Sequence, residues 1–436
     1  MRSYREYKIS EIGKIVSGAT PKTSIPENYG GNIAWITPAD LTGYQEKYIS
    51  RGARNITQAG YDSCSAQLMP AGTVLLSSRA PIGYVAIAQN PICTNQGFKS
   101  IVPNDSVDSE FLYYQLKYLR KQIQEMGSGT TFKEISAKKL GEVRIVVPSI
   151  SEQKRIVTRI EELFSELDNG VETLRKTKQQ LAVYRQAVLK EAYEGRLTMD
   201  WRKEHPDCFP IRDYESIAIK DPSYKDTSGD ENEIHLTLPD DWLKLRVGDV
   251  FPVEVGATPS RRVPEYWNGA INWVSSGEVR FNHIYSTDER ITEDGLAKAS
   301  TNVQPVGTIM LAMIGEGKTR GQAAILEIPA AHNQNTAAIL VSSTLCDPKY
   351  LYYFLQLNYE NTRRVGSGNN QKALNKERVR ALRFPFTSFA EQHVIVEEIE
   401  SRLSVFDSIE QTVDIALQQA EAMRQSILKQ AFEGRV

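Results

Sequence analysis

Two short stretches of this chain carry residue types that could do chemistry. Gly315-Glu-Gly-Lys-Thr319 ends like a phosphate-binding loop, which needs Gly-x-x-x-x-Gly-Lys and then Ser or Thr at the mouth of a helix. The leading glycine would fall at position 312, which is alanine, and Arg320-Gly-Gln322 does not open a helix. Glu152-Gln-Lys154 offers the acid and lysine of a nuclease-type pair, but no acidic partner precedes it on a strand. In the first turn of a helix, Glu favours the exposed N–H groups, so Glu152 reads as a cap. The four cysteines (64, 93, 208, 346) have no paired spacing and the five histidines are scattered, so neither a disulfide framework nor a metal site is legible. No Asn/Asp-Pro-Pro-aromatic tetrad that would hold a flipped base is present, and no Gly-rich turn after a strand suggests a cofactor pocket. The chain therefore carries no legible catalytic chemistry of its own.

The elements of this chain come in two copies. Gly18-Ala-Thr-Pro21 returns as Gly256-Ala-Thr-Pro259, an offset of 238. Pro26-Glu27, Gly31, Trp35-Ile36 and Asn95-Gln96 return as Pro264-Glu265, Gly269, Trp273-Val274 and Asn333-Gln334. Leu112-Tyr-Tyr114, Gly127-Ser-Gly129, Glu152-Gln153 and Glu194-Gly-Arg196 recur near Leu351, Gly366, Glu391 and Glu433, at an offset of 239. A period this long means a duplicated domain pair and not a solenoid. In each copy, short β-prone runs such as Thr73-Val-Leu-Leu76 and Tyr84-Val-Ala-Ile87 give way to a long helical pattern. Ser149 and Glu152 form a capping-box pattern after Pro148. Apolar residues then fall at Ile156, Ile160, Leu163, Leu167, Val171, Leu174, Leu181 and Val188, close to a coiled-coil seam. The second copy repeats this at Ile395, Ile399, Leu403, Phe406, Ile409, Val413, Leu417, Ala420 and Ile427.

Each stripe needs a partner, and the other copy offers one; the alternative is two helices packed separately on their own domains. The expected fold is α+β: two similar globular domains joined by two long helices in an antiparallel coiled coil, a pseudo-twofold internal repeat. The expected boundaries are 1–148 for the first domain, 149–199 for its helix, 200–239 for a linker, 240–387 for the second domain and 388–436 for its helix. The linker holds Pro206, Pro210, Pro222, Pro239 and the acidic Asp230-Glu-Asn-Glu233.

The 436 residues have a net charge of −2 (52 − 54), with 41% hydrophobic and 24% charged residues, which excludes a disordered or collagenous chain. No apolar run approaches a membrane span and no apolar leader is legible, so a cytoplasmic protein with no membrane partner is expected. The small total hides a sorted distribution. Residues 1–148 carry 17 Lys+Arg against 12 Asp+Glu, and residues 241–387 carry 17 against 14. Residues 149–240 carry 14 against 19, and residues 388–436 carry 4 against 9. Basic modules on acidic helices suit a polyanion held at two places.

Duplicated Gly-Ala-Thr-Pro, Trp-Ile/Val, Gly-Ser-Gly and Glu-Gln motifs, each ending in a helix with Glu-Gly-Arg, resemble the specificity subunit of a type I restriction-modification enzyme. The resemblance implies two target recognition domains, each reading half of a bipartite site on double-stranded DNA, with the helices setting the spacer. It implies a non-catalytic chain that docks two modification (methyltransferase) subunits and, through them, restriction (motor-nuclease) subunits. S-adenosylmethionine, ATP and Mg2+ then belong to those partners, and no cofactor or metal to this chain. The copies diverge where Lys22-Thr-Ser24 faces Ser260-Arg-Arg262, and where Thr130-Thr-Phe-Lys133 faces Asn369-Asn-Gln-Lys372, which implies an asymmetric target. The candidate DNA-binding residues are Thr20, Lys22, Thr23, Ser78, Arg79, Thr130, Thr131 and Lys133 in the first copy. In the second they are Thr258, Ser260, Arg261, Arg262, Lys318, Arg320, Asn369, Asn370 and Lys372. Trp35, Trp273 and the Leu-Tyr-Tyr segments read as core. A second class remains: a free-standing DNA-modifying enzyme with an unfamiliar site, or a protein-only scaffold.

Overall fold

The computed structural model describes residues 5–129, 133–208, 235–315, 317–341, 346–364 and 374–433. It divides into two units: residues 1–176 with 413–436, and residues 177–412.

The first unit is built on a five-stranded sheet in the order Gly13–Ser17, Lys99–Pro103, Val74–Leu76, Val85–Ala88, Tyr48–Ile49. The first four strands run antiparallel to their neighbours and the last pairs parallel. The second unit has the same plan: Val253–Val255, Thr336–Ile339, Ile309–Ala312, Ala323–Leu326, Asn282–Ile284, again with a parallel last pair. The runs Val74-Leu-Leu76 and Ile309-Met-Leu-Ala312 are buried on both faces, which explains their unbroken apolar character. A two-stranded ribbon closes each unit, Arg5–Lys8 with Arg144–Val147 and Leu243–Arg246 with Arg383–Phe386.

Two helices of 44 residues follow, Ile150–Tyr193 and Phe389–Phe432. Each begins in one unit and ends in the other. In the first unit, Ile156 and Ile160 share a core with Leu428 and Ala431, and Phe432 meets Phe111 edge to face. In the second, Leu189, Ala192 and Tyr193 share a core with Ile395, Ile399 and Leu403. The pairing is antiparallel. Arg424 pairs with Asp168 inside the first unit, and Arg185 with Asp407 inside the second. Inside the first unit, Ile156 and Ile160 precede Asp168 in one helix, whereas Leu428 and Ala431 follow Arg424 in the other. Tyr184 stacks on Phe406 at the same level as Arg185.

The seam differs from its sequence pattern in two places. Ile409 is 39% exposed, because its neighbour Glu410 turns toward Lys178 and Arg185. Leu189 and Leu428, one position past the expected Val188 and Ile427, are the fully buried residues. Near its end, each helix packs on a globular core as well as on its partner, which widens and rotates the apolar stripe.

Gln153 and Gln392 are completely buried and lock each long helix to its domain. Gln153 accepts from the Asp108 N–H at 2.8 Å and donates to the carbonyls of Ser106 and Pro148, both at 2.9 Å. Gln392 accepts from the Asp347 N–H at 3.1 Å and donates to the Thr387 carbonyl at 2.7 Å. Ser149 and Ser388 accept from the backbone N–H groups of Glu152 and Glu391, as helix caps do. The two glutamates then part company. Glu152 pairs with the exposed Arg155, whereas Glu391 is buried among Thr198 (2.7 Å), Trp242 Nε1 (3.0 Å), Thr387 and Arg202. It ties residues on both sides of the expected linker to one helix start. Of that linker, residues 209–234 lie outside the described residues, and Met199–Glu204 forms a short helix. Among the described residues, no helix is long and apolar enough to cross a membrane.

Candidate nucleic-acid interface

The duplicated motifs build one loop cluster in each unit. In the first, Trp35 is buried and its Nε1 donates to the Ala19 carbonyl at 3.0 Å, while the Tyr29 hydroxyl donates to the Pro21 carbonyl at 2.8 Å. Both fasten the Gly-Ala-Thr-Pro loop to the domain. Ala19 N–H donates to the Thr94 carbonyl at 2.9 Å, bringing that loop against Thr94-Asn-Gln-Gly97. A Cβ on Gly18 would lie 1.9 Å from the Asn95 carbonyl oxygen, so only glycine permits the approach. The Ser78 N–H donates to the Gly97 carbonyl at 2.7 Å, and the Ile135 N–H to the Ser78 carbonyl at 3.0 Å. Segments near residues 20, 79, 96 and 133, far apart in sequence, are thereby joined.

The second unit repeats the construction. Trp273 Nε1 donates to the Ala257 carbonyl at 3.2 Å, and the Ala257 N–H to the His332 carbonyl at 3.0 Å. A Cβ on Gly256 would lie 2.0 Å from that same carbonyl. The Met313 N–H donates to the Asn335 carbonyl at 2.8 Å, and the Leu374 N–H to the Met313 carbonyl at 3.1 Å. Arg320 donates to the Arg363 carbonyl at 2.9 Å, and Arg363 returns a bond to the Gly317 carbonyl at 2.8 Å. A strand, Ala323–Leu326, follows this loop, so Gly317-Lys-Thr319 lacks the helix of a phosphate-binding loop.

The candidate residues fall into three groups. Lys22, Thr23, Lys133, Ser260, Arg262 and Lys318 are exposed on these loops. Thr20 and Thr258 are half-buried, with hydroxyls that donate to Gln96 and Gln334. Arg79 faces Glu134 at 3.9 Å, and Lys99 shares that carboxylate at 3.3 Å. Arg261 is exposed but tethered, with two bonds of 2.7 and 2.8 Å to Glu289 and its guanidinium 4.3 Å from the Trp267 ring centre. Arg320 spends one nitrogen on the Arg363 carbonyl, as above. Ser78 departs from expectation: it is fully buried, with Oγ directed at Glu134 at 3.5 Å. Its place is fixed by backbone bonds on both sides, so it joins loops and presents no side chain outward. Thr130, Thr131, Asn369, Asn370 and Lys372 lie outside the described residues.

Trp35, Trp273, Tyr113, Tyr114 and Tyr352 are buried, as core residues and not stacking platforms. The sequence pattern missed Arg54, whose guanidinium lies 3.6 Å from the Tyr29 ring centre beside the first loop, and nothing in its spacing marks it. Gln96 and Gln334, which accept from Thr20 and Thr258, also stand on these loop clusters, and their shared offset was visible in the sequence. Burial pushes His332, behind the second loop, down to about 4, and its Nδ1 pairs with Thr336 Oγ1 at 2.8 Å. The imidazole is therefore neutral near pH 7 and serves packing. Among the described residues, no group of three His, Cys, Asp or Glu stands ready to hold a metal ion.

The type I restriction modification DNA specificity domain matches this chain twice, over residues 1–181 and 239–419. The starting points differ by 238, the offset of the duplicated motifs. The chain is 34% identical to the type I restriction enzyme MjaIX specificity subunit of Methanocaldococcus jannaschii, over 80% of this chain and 74% of that one. It is 26% identical to the EcoDI specificity subunit of Escherichia coli, over 76% and 70%. In fold it resembles the HsdS subunit of Thermoanaerobacter tengcongensis, with a TM-score of 0.54 at 16% identity, over 99% and 97% of the two chains. A chain solved in a study of assembly and conformational transition of the type I R-M system gives a TM-score of 0.71 at 15% identity, over 99% and 98%. With both repeats matched and relatives sharing most of its length, the chain belongs to the type I restriction-modification DNA specificity family, as a specificity subunit with two recognition domains.

Proposed function

We propose that each unit reads one half of a bipartite, asymmetric site on double-stranded DNA through its own loop cluster. The observation that carries this reading is the loop construction itself. Both units clamp the same frame of Gly-Ala-Thr-Pro, Trp and Asn-Gln, and hang unlike residues on it: Lys22-Thr-Ser24 in one, Ser260-Arg-Arg262 in the other. A common frame with different outward side chains suits one docking mode on two different sequences. Lys22, Lys133, Arg262 and Lys318 supply phosphate contacts, and the tethered Arg261 a contact of fixed direction, with Thr20, Thr23, Arg79, Thr258, Ser260 and Arg320 beside them. Thr130, Thr131, Asn369, Asn370 and Lys372 belong to the same proposed surface.

The domain boundaries at 148, 199, 239 and 387 follow from this reading, with the long helices setting the spacer between half-sites. Their exposed faces dock two modification subunits, which bring the restriction subunits. S-adenosylmethionine, ATP and Mg2+ act in those partners, and the assembly works in the cytoplasm. Exchanging residues 1–148 for the equivalent domain of a relative tests the reading. Mapping of methylated DNA in cells carrying the chimera and its partners should show one new half-site and one unchanged. A change in both would sink it.

A further inference from the structure

Gln96 and Gln334 occupy matching places in the two units, and the surroundings of each are built alike. Asn95 Oδ1 accepts from the Gly97 N–H at 2.9 Å, and Asn333 Oδ1 from the Asn335 N–H at 3.0 Å. These Asx turns fold the backbone so that the glutamine stands at the tip. Both glutamines are exposed. Each accepts through Oε1 from a threonine of the Gly-Ala-Thr-Pro loop, Thr20 or Thr258. Those threonines sit on loops pinned by Trp35 and Trp273 and pressed against the Asn-Gln turn at Gly18 and Gly256. An exposed glutamine side chain is normally free to rotate. Here two amides are held in one direction, in duplicate.

We propose that Gln96 and Gln334 are positioning residues that donate their amide N–H groups to the DNA phosphate backbone, one in each half-site. The inference rests on the DNA-reading function proposed above. Residues two to four places beyond the threonines differ between the units, as readers of different bases must. A residue kept in both, with its partner and its turn, faces what the two half-sites share, which is the sugar-phosphate backbone. Reading adenine with a glutamine takes both the donor and the acceptor of its amide. The threonine hydroxyl draws the amide oxygen toward the Gly-Ala-Thr-Pro loop, so the amide face turned away from that loop is the N–H pair, suited to a phosphate oxygen.

The test uses the full chain assembled with its modification subunits. One duplex carries the methylated motif mapped in cells bearing the system, and a second is its shuffled counterpart. Gln96→Ala and Gln334→Ala should each weaken binding to both duplexes by about tenfold, the worth of a hydrogen bond to a charged group, and leave the mapped motif unchanged. Gln96→Glu separates this role from loop stabilisation. Its carboxylate still accepts from Thr20 but repels phosphate, so it should bind more weakly than Gln96→Ala, with the gap closing as salt rises. Wild-type affinity in Gln96→Glu would overturn the proposal, and so would unchanged affinity in both alanine variants. A motif altered at one base would also overturn it, since the glutamine would then read sequence. If the wild-type assembly itself failed to prefer its target over the shuffled duplex, the DNA-reading function would fall instead.

Discussion

Among single residues, side chains of one type sit in unlike surroundings on the loops proposed to read DNA. Arg261 and Arg262 are adjacent, yet Glu289 holds the first in two hydrogen bonds, while the second is exposed. Arg262→Ala should therefore weaken DNA binding by the assembled enzyme nearly equally for all sequences and lower the slope of log affinity against log salt by about one. Salt titration of binding checks this, and an unchanged slope would remove Arg262 from the interface. His332 gives a second expectation. Burial holds it at about 4 in the folded chain, against about 6.5 when unfolded. Between those values the unfolded state binds more protons, so stability is full above about pH 6.5 and falls as the pH drops toward about 4, by ~3 kcal/mol in all. Thr94 fills the equivalent place in the first unit, so His332→Thr should abolish most of this pH dependence. Denaturant midpoints of wild type and variant at pH 7.5 and pH 5 measure the difference.

Among the elements, the long helices show how far periodicity carries. A proline-free run with a three–four apolar spacing and a serine cap is enough to place both helices, and they run from Ile150 to Tyr193 and from Phe389 to Phe432. The spacing does not reveal that Leu189 and Leu428 are the buried positions, because those sites face a globular core that no helical repeat encodes. Gly170 lies inside the first helix, and a Cβ there would meet no atom within 4 Å. Four residues inserted beside it add about 6 Å and turn the following segment by about 40°. DNA advances by about 3.4 Å and turns about 35° per base pair. The rotation favours a spacer longer by one base pair with both half-sites unchanged. Methylome sequencing of cells carrying the insertion and its partners reads the spacer directly, and an active variant with the old spacer would end the proposal that the helices set it.

Over the whole molecule, charge is sorted by role. Residues 1–148 and 241–387 are net basic, and the helix-bearing segments 149–240 and 388–436 net acidic. The basic segments carry the loops proposed for DNA. The acidic ones carry Glu410, Asp407 and Asp168, which pair across the helices with Arg185 and Arg424. The chain belongs to the specificity-subunit family, so under the proposed division of labour the isolated chain should neither bind S-adenosylmethionine nor methylate DNA, and activity should emerge on adding modification subunits. Calorimetry of the isolated chain with S-adenosylmethionine tests this, and stoichiometric binding would favour the free-standing enzyme.

Residue order alone was enough for the duplication, the long helices and the family, because a repeated motif at a fixed offset and a heptad-like stripe are local or one-dimensional signals. It also marked the loops where the copies diverge. What holds those loops together came only with the folded chain. Gly18 must be glycine because the Asn95 carbonyl lies where a Cβ would be, and Trp35 recurs because its indole holds the Ala19 carbonyl. Ser78 is buried where its backbone groups join two neighbouring loops, and Gln96 meets Thr20 from a segment 76 residues away. Such contacts depend on which strands lie side by side, and a sheet whose neighbours are far apart in sequence leaves no trace of that in residue spacing.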